Sequence, residues 1–266
     1  IKKNLFPFML FLLFFSCSKE KTDWPESTNE MRPWVRWHWM ANAVDHENIK
    51  RELKEFSDVG IGGVEITSGY GVKGEEHRFI EYQSPEFTRI LKFTIDEAHR
   101  LGMGVDLPPG AGWACGGPFV PEEKGLFKLQ MHSFDVRVGE KWELPEVITN
   151  AAAISFVGEN GDVDANILKS AKQFVSPENG KIYVAESLKT GNQVKNPSPG
   201  GDGLVIDVYN KEINEWYLTQ FWNRLGIGEG LIRSFFHDSF EYYGNFSRNF
   251  INEFKKLRGY DLSNYL

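Results

Sequence analysis

The sequence predicts an α/β fold, a partial (β/α)8 barrel of the TIM type that carries a small antiparallel β insertion. Three observations predict it. Strand and helix patterns alternate from residue 33 to residue 107, a β-like stretch interrupts them, and helical spacing returns near residue 213. Such alternation with short linkers favours parallel strands joined by right-handed crossovers. A doubly wound sheet also fits, but no Gly-x-Gly-x-x-Gly follows the first strand, so a dinucleotide-binding fold has no positive support.

The first three strands and two helices follow one another closely. The aromatic run 33–40 predicts the first strand, and Asp45 is a candidate N-cap of the helix that follows. Residues 62–66 predict a second, buried strand. Ser84 precedes a second helix that has proline at its first position. Residues 103–107 predict the third strand, which two prolines stop.

The pattern changes in the middle of the chain and then returns. Residues 126–208 hold short β-like runs separated by Gly, Asn and Pro turns, which predict an antiparallel insertion. A fourth strand is expected at 231–236, and a further helix ends at Gly259. A closed barrel needs eight βα units and about four are visible, so we expect the sequence to be a fragment that folds poorly alone.

The N-terminal residues have the features of a secretion signal. A basic start precedes the apolar run 5–15, which is shorter than the roughly 20 residues that span a bilayer. The run ends at Ser16-Cys17, and a small residue before Cys is typical of a bacterial lipobox. Cys17 is therefore a candidate lipidation site that would anchor the protein in the bacterial cell envelope, in the periplasm or at the surface. An ordinary signal peptide with an incidental cysteine is the alternative.

These patterns divide the chain into five expected parts. The expected boundaries are 1–17 for a lipoprotein signal peptide, 18–32 for a flexible tether, 33–125 for the first part of the barrel, 126–208 for the insertion and 209–266 for the continuation of the barrel.

Charge and cysteine usage exclude several classes of protein. The net charge is −7 and no basic cluster follows the first residues, which disfavours a nucleic-acid partner. The two cysteines, Cys17 and Cys115, have different surroundings and do not indicate a disulfide framework. Neither a zinc-type His/Cys spacing nor a Gly-x-Ser-x-Gly nucleophile motif is present.

Acidic and aromatic residues follow the predicted strands. In a (β/α) barrel the active site forms at the C-terminal ends of the strands. The candidates are Trp37, His38 and Trp39 at the first end, Glu65 at the second, Asp106 and Trp113 at the third, and His237, Asp238 and Glu241 at the fourth. Carboxylate pairs beside aromatic walls suit glycoside hydrolysis, in which one acid protonates the leaving oxygen and another activates water or attacks carbon.

Most candidates also have a purely structural interpretation. The structural alternatives are a turn cap for Asp238 or Asp106, a solvent position for Glu241, an ion pair for Glu65 and a hydrogen-bonded core position for His38. Trp113 lies in a glycine-rich loop and is hard to explain as a core residue, which favours a substrate platform.

Four ordered motifs resemble those of family 106 glycoside hydrolases. They are residues 32–40 together with 60–65, the Gly-Ala-Gly-Trp-Ala-Cys-Gly-Gly-Pro loop at 110–118, the His-Asp-Ser-Phe-Glu segment at 237–241, and the Arg-Gly-Tyr-Asp run within 257–262. The resemblance covers most of the chain after residue 32 and is weakest in the β insertion.

The resemblance implies an inverting α-L-rhamnosidase that acts on plant or microbial polysaccharides and uses calcium at the substrate site. It makes Glu241 the candidate general acid, and Asp238 a residue that orients it or holds a sugar hydroxyl. The base and some calcium ligands would come from later strands, so the sequence as given would be inactive alone. The alternatives are a retaining glycosidase that pairs Glu65 with Glu241, a surface lipoprotein that binds glycans without cleaving them, and a degenerate pseudo-enzyme.

Overall fold

The computed structural model describes residues 25–165, 167, 173–237 and 242–265. The predicted signal peptide and Cys17 lie outside the described residues, as do residues 18–24 of the predicted tether. The predicted acids Asp238 and Glu241 lie outside them as well.

Three parallel strands form the central sheet. They are β1 (Trp34–Met40), β2 (Gly63–Gly69) and β3 (Gly104–Asp106), adjacent in chain order. Two helices make the crossovers, α1 (His46–Asp58) and α2 (Pro85–Arg100). The order strand, helix, strand, helix, strand is the one that the sequence pattern predicts.

Local capping residues start both crossover helices. The Asp45 carboxylate accepts a hydrogen bond from Asn48 N at 2.9 Å, and Ser84 Oγ accepts one from Phe87 N at 3.2 Å. Each cap satisfies a backbone N–H that has no partner inside the helix. Pro85 occupies the first turn of α2, where its missing N–H costs nothing.

A fourth extended segment, residues 233–236, continues the sheet beside β3. Arg233 N donates to Val105 O at 3.0 Å, and Phe236 N donates to Leu107 O at 2.8 Å. Leu107 and Phe235 form a parallel bridge. The chain reaches this segment through α3 (Lys211–Leu225) and leaves it towards α4 (Phe250–Arg258).

The residues between β3 and α3 fold mainly as small antiparallel sheets. The largest contains β5 (Phe127–Val136), β7 (Ala151–Gly158), β8 (Val163–Ala165) and β10 (Gly180–Lys189). Its strand order is β5-β10-β7-β8. The two-stranded sheets pair β4 (Gly116–Gly117) with β11 (Leu204–Val205) and β6 (Lys141–Trp142) with β9 (Phe174–Val175). This region has its own small core around Phe156, Ile182 and Val184.

The main core lies on one face of the parallel sheet. Side chains alternate across a strand, so every second residue of β1 and β2 faces the helices. Val64, Ile66 and Val105 on this face pack with Leu91 of α2 and Phe221 of α3 in one apolar cluster. Short 3-10 turns complete the described part of the chain at Asn29–Met31, Glu76–Arg78, Glu122–Lys124 and Leu262–Asn264.

The mixed α/β character is confirmed. The described strands form several small sheets and no closed barrel, so the partial (β/α)8 barrel stays a prediction. Among the described residues no helix combines the length and the apolar character that a membrane crossing requires.

Trp34 covers the start of the parallel sheet on the face opposite the helices. A methyl group at Gly63 would lie 2.4 Å from Trp34 Cζ3, and one at Gly104 would lie 2.4 Å from Trp34 Cη2. Both positions therefore require glycine for the indole to lie flat across β2 and β3. Arg233 stacks on the other side of this ring, with its Cζ 3.6 Å from the ring centroid.

We predict that Gly104→Ala destabilises the fold. The added methyl group overpacks the contact with Trp34, which we expect to lower the free energy of unfolding by about 1–3 kcal/mol. Urea denaturation followed by tryptophan fluorescence measures the change. Gly228→Ala is the matched control, because its methyl group would meet only Leu231 Cδ1 at an ordinary 3.5 Å. Equal stability losses in the two variants would contradict the proposed clash.

Candidate functional site

A row of charged side chains crosses the parallel sheet on the face opposite the helices. Arg36 pairs in register with Glu65, and Glu65 pairs in register with Asp106. Because paired residues of neighbouring strands point to the same side, these three side chains lie side by side. Register therefore creates a polar row at the sheet, while the other face packs against helices.

Glu65 is held by two neighbours. Arg36 Nε lies 3.1 Å from Glu65 Oε1, and Thr67 Oγ1 donates to the same oxygen at 3.0 Å. The Arg36 guanidinium also lies 4.8 Å from the ring centroid of Phe236. Glu65 thus forms the ion pair that its structural interpretation predicts, and it does so beside the cleft described below.

Asp106 joins the fourth segment to β3. Its Oδ1 accepts from Arg233 Nε at 3.1 Å and from Ser234 N at 3.0 Å. The hydrogen bond with Asp106 raises the pKa of Arg233 above its ordinary value. The Asp106 carboxylate is buried, so loss of its partners would leave an uncompensated charge. The structure therefore gives Asp106 a positioning contact, with its side chain turned to Arg233.

A narrow cleft lies on this face of the sheet, next to the C-terminal end of β3. The side chains that line it include Arg36, Glu65, Thr67, Trp113, Cys115, Phe236 and His237. Three predicted site residues are thus brought together: Glu65 from within β2, Trp113 from the loop after β3, and His237 from the end of the fourth segment. The cleft holds about 20 Å³, roughly the room that one ordered water needs. The described side chains therefore form the floor of a site rather than an enclosure for a sugar ring.

Two buried tyrosine hydroxyls fix the loop that carries Trp113. Tyr217 Oη of α3 lies 2.8 Å from both Pro109 O and Gly116 O, and it accepts from Gly116 N at 3.1 Å. Tyr82 Oη donates to Gly110 O at 3.2 Å. Burial raises the pKa of both phenols, so they remain protonated and can donate.

The insertion holds the outer side of the same loop. Trp113 N donates to Lys195 O at 2.9 Å, and Lys195 N donates back to Trp113 O at 3.2 Å. Ser198 N donates to Ala111 O at 2.6 Å. A side chain at Gly112 would lie 2.7 Å from Lys195 O, so this close approach requires glycine. Loop and insertion therefore form one packed unit.

His237 is oriented by two neighbours at the edge of the cleft. Its Nε2 lies 2.7 Å from Tyr242 Oη, and its Nδ1 lies 3.6 Å from Cys115 Sγ. Burial raises the pKa of the Cys115 thiol to about 11, although a hydrogen bond with Tyr242 opposes the shift. Cys115 is thus a neutral thiol at neutral pH and is no candidate nucleophile.

The first strand contributes differently from the prediction. Trp37 and Trp39 are buried on the helix face, where Trp37 Nε1 donates to Glu52 Oε2 at 2.8 Å and Trp39 packs against Phe87. The structure does not bring these two indoles to the cleft, because strand alternation turns them away from Glu65. His38 is exposed on the opposite face and is not among the residues that line the cleft.

Sequence reasoning did not select Arg36, Tyr217 or Tyr242. Arg36 precedes Trp37, and alternation along β1 places it on the face opposite to Trp37 and Trp39. Its position in the strand was therefore a usable signal. Tyr217 and Tyr242 reach the loop through contacts between distant parts of the chain, for which the sequence pattern carries no signal.

The described residues around the cleft do not form a metal site. Among them no group of three or more His, Cys, Asp or Glu side chains is placed to hold a metal ion. The two carboxylates of the polar row, Glu65 and Asp106, are each paired with an arginine. Within the described part of the chain, this donor set does not fit calcium.

Parallel strands, a tryptophan-bearing loop, and a cleft with a carboxylate and a histidine are features from which glycoside hydrolase sites are built. The comparison with known families agrees and is more specific. The chain belongs to glycoside hydrolase family 106, whose model, described as alpha-L-rhamnosidase, matches residues 25–175, more than half of the chain. The family resemblance found in the sequence motifs is confirmed.

Two individual proteins are similar to this chain. A protein of Formosa agariphila named putative beta-glucuronidase is 23% identical over 300 residues, which cover 91% of this chain and 25% of that protein. The structure of a rhamnosidase from Novosphingobium sp. PP1Y matches with a TM-score of 0.66 and 15% identity, over 89% of this chain and 41% of that one. The chain thus spans a quarter of the first protein and less than half of the second. At these identities the structural match supports the fold alone.

We predict that Tyr217→Phe loosens the Trp113 loop. The change keeps the ring but removes the hydroxyl that serves Pro109 O, Gly116 O and Gly116 N, at a cost of about 1–3 kcal/mol in the free energy of unfolding. Hydrogen exchange at the Gly116 amide should become roughly tenfold faster, because that N–H loses its acceptor.

Tyr82→Phe is the control for this experiment. It removes one hydrogen bond to Gly110 O and should leave the Gly116 amide protected. Unchanged exchange of Gly116 in Tyr217→Phe would refute the role of the hydroxyl.

Proposed function

We propose that the full-length protein is an α-L-rhamnosidase that releases rhamnose from polysaccharide or glycan side chains with inversion at the anomeric carbon. The observation that carries the proposal most is the convergence of Glu65, Trp113 and His237 at one cleft. The membership in family 106 and the fold of the rhamnosidase neighbour point the same way.

The cleft offers contacts that suit a deoxy sugar. Rhamnose carries a methyl group at C6, and the Trp113 and Phe236 rings at the cleft supply apolar surface for it. Arg36, Thr67 and His237 supply polar groups for the ring hydroxyls. The family resemblance implies that Glu241 is the general acid and that Asp238 orients it or holds a sugar hydroxyl. Asp238 is the residue after His237 in the sequence, and Glu241 follows three positions later.

Hydrolysis of a β-glucuronide is the second candidate. It is favoured by the name of the Formosa agariphila relative, and Arg36 at the cleft is a cation that a uronate carboxylate could meet. Arg36 is, however, already paired with Glu65 at 3.1 Å. A uronate would have to compete with that carboxylate, so we favour the neutral rhamnoside.

Calcium remains an expectation of the family resemblance. The described carboxylates do not supply three neighbouring ligands. Glu65 and Asp106 are each paired with an arginine. No step of the proposed reaction is assigned to the ion.

Glu241→Gln tests the proposed acid in the full-length enzyme. We expect kcat for a rhamnosyl oligosaccharide to fall by about 10²–10⁴, since its poor leaving group needs protonation. The loss with p-nitrophenyl α-L-rhamnoside should be smaller, because nitrophenolate leaves without a proton. Proton NMR of the first-formed sugar should show inverted stereochemistry, as expected for a water attack between two separated carboxyl groups.

Glu229→Gln, at an exposed turn, is the matched control and should retain wild-type turnover. Unaffected turnover in Glu241→Gln would exclude that residue as the acid. A retained anomer would favour the retaining alternative, and turnover of p-nitrophenyl β-D-glucuronide alone would favour the second candidate. Glycan binding without any turnover by the wild type would favour the binding protein or the pseudo-enzyme.

We further propose a lipid anchor at Cys17, which the sequence around residues 5–17 supports. In a bacterial host, Cys17→Ala should move the protein from the membrane pellet to the soluble fraction. Cys115→Ala should leave it in the pellet, because that thiol is buried beside the cleft. Equal pelleting of the two variants would argue against the anchor.

A further inference from the structure

We propose that a second cleft, beside the first, binds a neutral sugar residue of the substrate beyond the rhamnose that is released. This inference rests on the proposed function and extends it to the rest of the glycan. The second cleft lies between the N-terminal ends of α3 and α4 and encloses about 530 Å³. That volume is within the range of roughly 300–1,000 Å³ found for small-molecule sites.

The second cleft lies next to the first through one short piece of chain. Tyr209, which lines the second cleft, donates from Oη to Gly244 O at 3.3 Å. Two residues earlier, Tyr242 Oη lies 2.7 Å from Nε2 of His237, which lines the first cleft. Residues 242–244 therefore connect the residues of one cleft to those of the other, and we call them the connecting segment.

The connecting segment packs against the insertion. Asn245 N donates to Phe127 O at 3.2 Å. A methyl group at Gly244 would lie 2.4 Å from both Leu126 Cγ and Phe127 O, so there is no room for a side chain between the connecting segment and these two residues. The distance between the clefts is thus set by packing against β5. A fixed spacing is what recognition of two linked sugar residues requires.

The chemistry of the lining fits a sugar. Tyr209 exposes 57% and Phe250 44% of their surfaces, so each offers apolar ring surface to the C–H groups of a pyranose. Asn210, Asn245 and Asn249 add amide groups that can bond to hydroxyls. The bond from Tyr209 Oη to Gly244 holds the tyrosine ring in place before a ligand arrives.

The charges of the lining favour a neutral ligand. Two lysines and two glutamates line the second cleft: Lys211, Lys256, Glu212 and Glu253. Their charges cancel, and Lys256 Nζ already lies 2.6 Å from Glu253 Oε1. A uronate or a phosphate would meet no net positive charge here. A neutral hexose or deoxyhexose needs no positive charge at its site.

Kinetics of the full-length enzyme with two substrates tests the proposal. One substrate is p-nitrophenyl α-L-rhamnoside, which offers no further sugar residue to the second cleft, and the other is a neutral tetrasaccharide with a terminal rhamnose. Tyr209→Ala should raise KM for the tetrasaccharide about five- to tenfold, the effect of losing one aromatic contact. It should leave kcat for the tetrasaccharide and both constants for the aryl glycoside unchanged. Tyr209→Phe keeps the ring and should retain a KM close to that of the wild type.

Tyr243→Ala is the matched control. Tyr243 belongs to the same segment and is 74% exposed, but it lines neither cleft. A tetrasaccharide KM in Tyr209→Ala within about twofold of the wild-type value, below the effect of one aromatic contact, would overturn the proposal. So would an equal rise for both substrates, or the same rise in Tyr243→Ala.

Failure of the proposed function has a different signature. If the wild type cleaves neither rhamnoside, calorimetric binding of the tetrasaccharide to the wild type and to Tyr209→Ala decides the matter. Weaker binding in Tyr209→Ala alone supports the second cleft, and equal or absent binding overturns it.

Discussion

The buried contact between Asp106 and the segment that starts at Arg233 is the constraint on which the site depends. Asp106 ends β3 and accepts hydrogen bonds from both Arg233 Nε and Ser234 N. These bonds fix the fourth segment, residues 233–236, beside the sheet. His237, the next residue, lines the cleft. The Arg233 guanidinium in turn lies over Trp34, which itself covers Gly63 and Gly104. The Asp106 carboxylate therefore connects the start of the sheet under Trp34 with the residues at the edge of the cleft.

The sequence was informative wherever structure is determined locally. The caps at Asp45 and Ser84 act within three residues, and the strands β1 to β3 have apolar runs bounded by turns. Alternation along β1 indicates that Trp37 and Trp39 share a face. It does not say whether that face meets helices or substrate, because the answer depends on where α1 and α2 pack.

Contacts between distant residues were beyond the reach of sequence patterns. The Gly116 amide and the Tyr217 hydroxyl are 101 positions apart, and nothing in either neighbourhood indicates the pairing. The same holds for Cys115 Sγ and His237 Nδ1, which are 3.6 Å apart in space and 122 positions apart in the chain. Glu65 could be selected because it lies near the end of a predicted strand, and Trp113 and His237 because each follows one. Their convergence depends on the parallel arrangement of those strands.

The lone thiol at the cleft has a consequence for chemical durability. With its pKa raised to about 11, Cys115 carries almost no thiolate at neutral pH. Oxidation by peroxide and exchange with disulfides both proceed through the thiolate. Both reactions of Cys115 should therefore be slow, even where no reducing system is present. Cys115 can therefore lie next to the cleft without a disulfide and still resist oxidation.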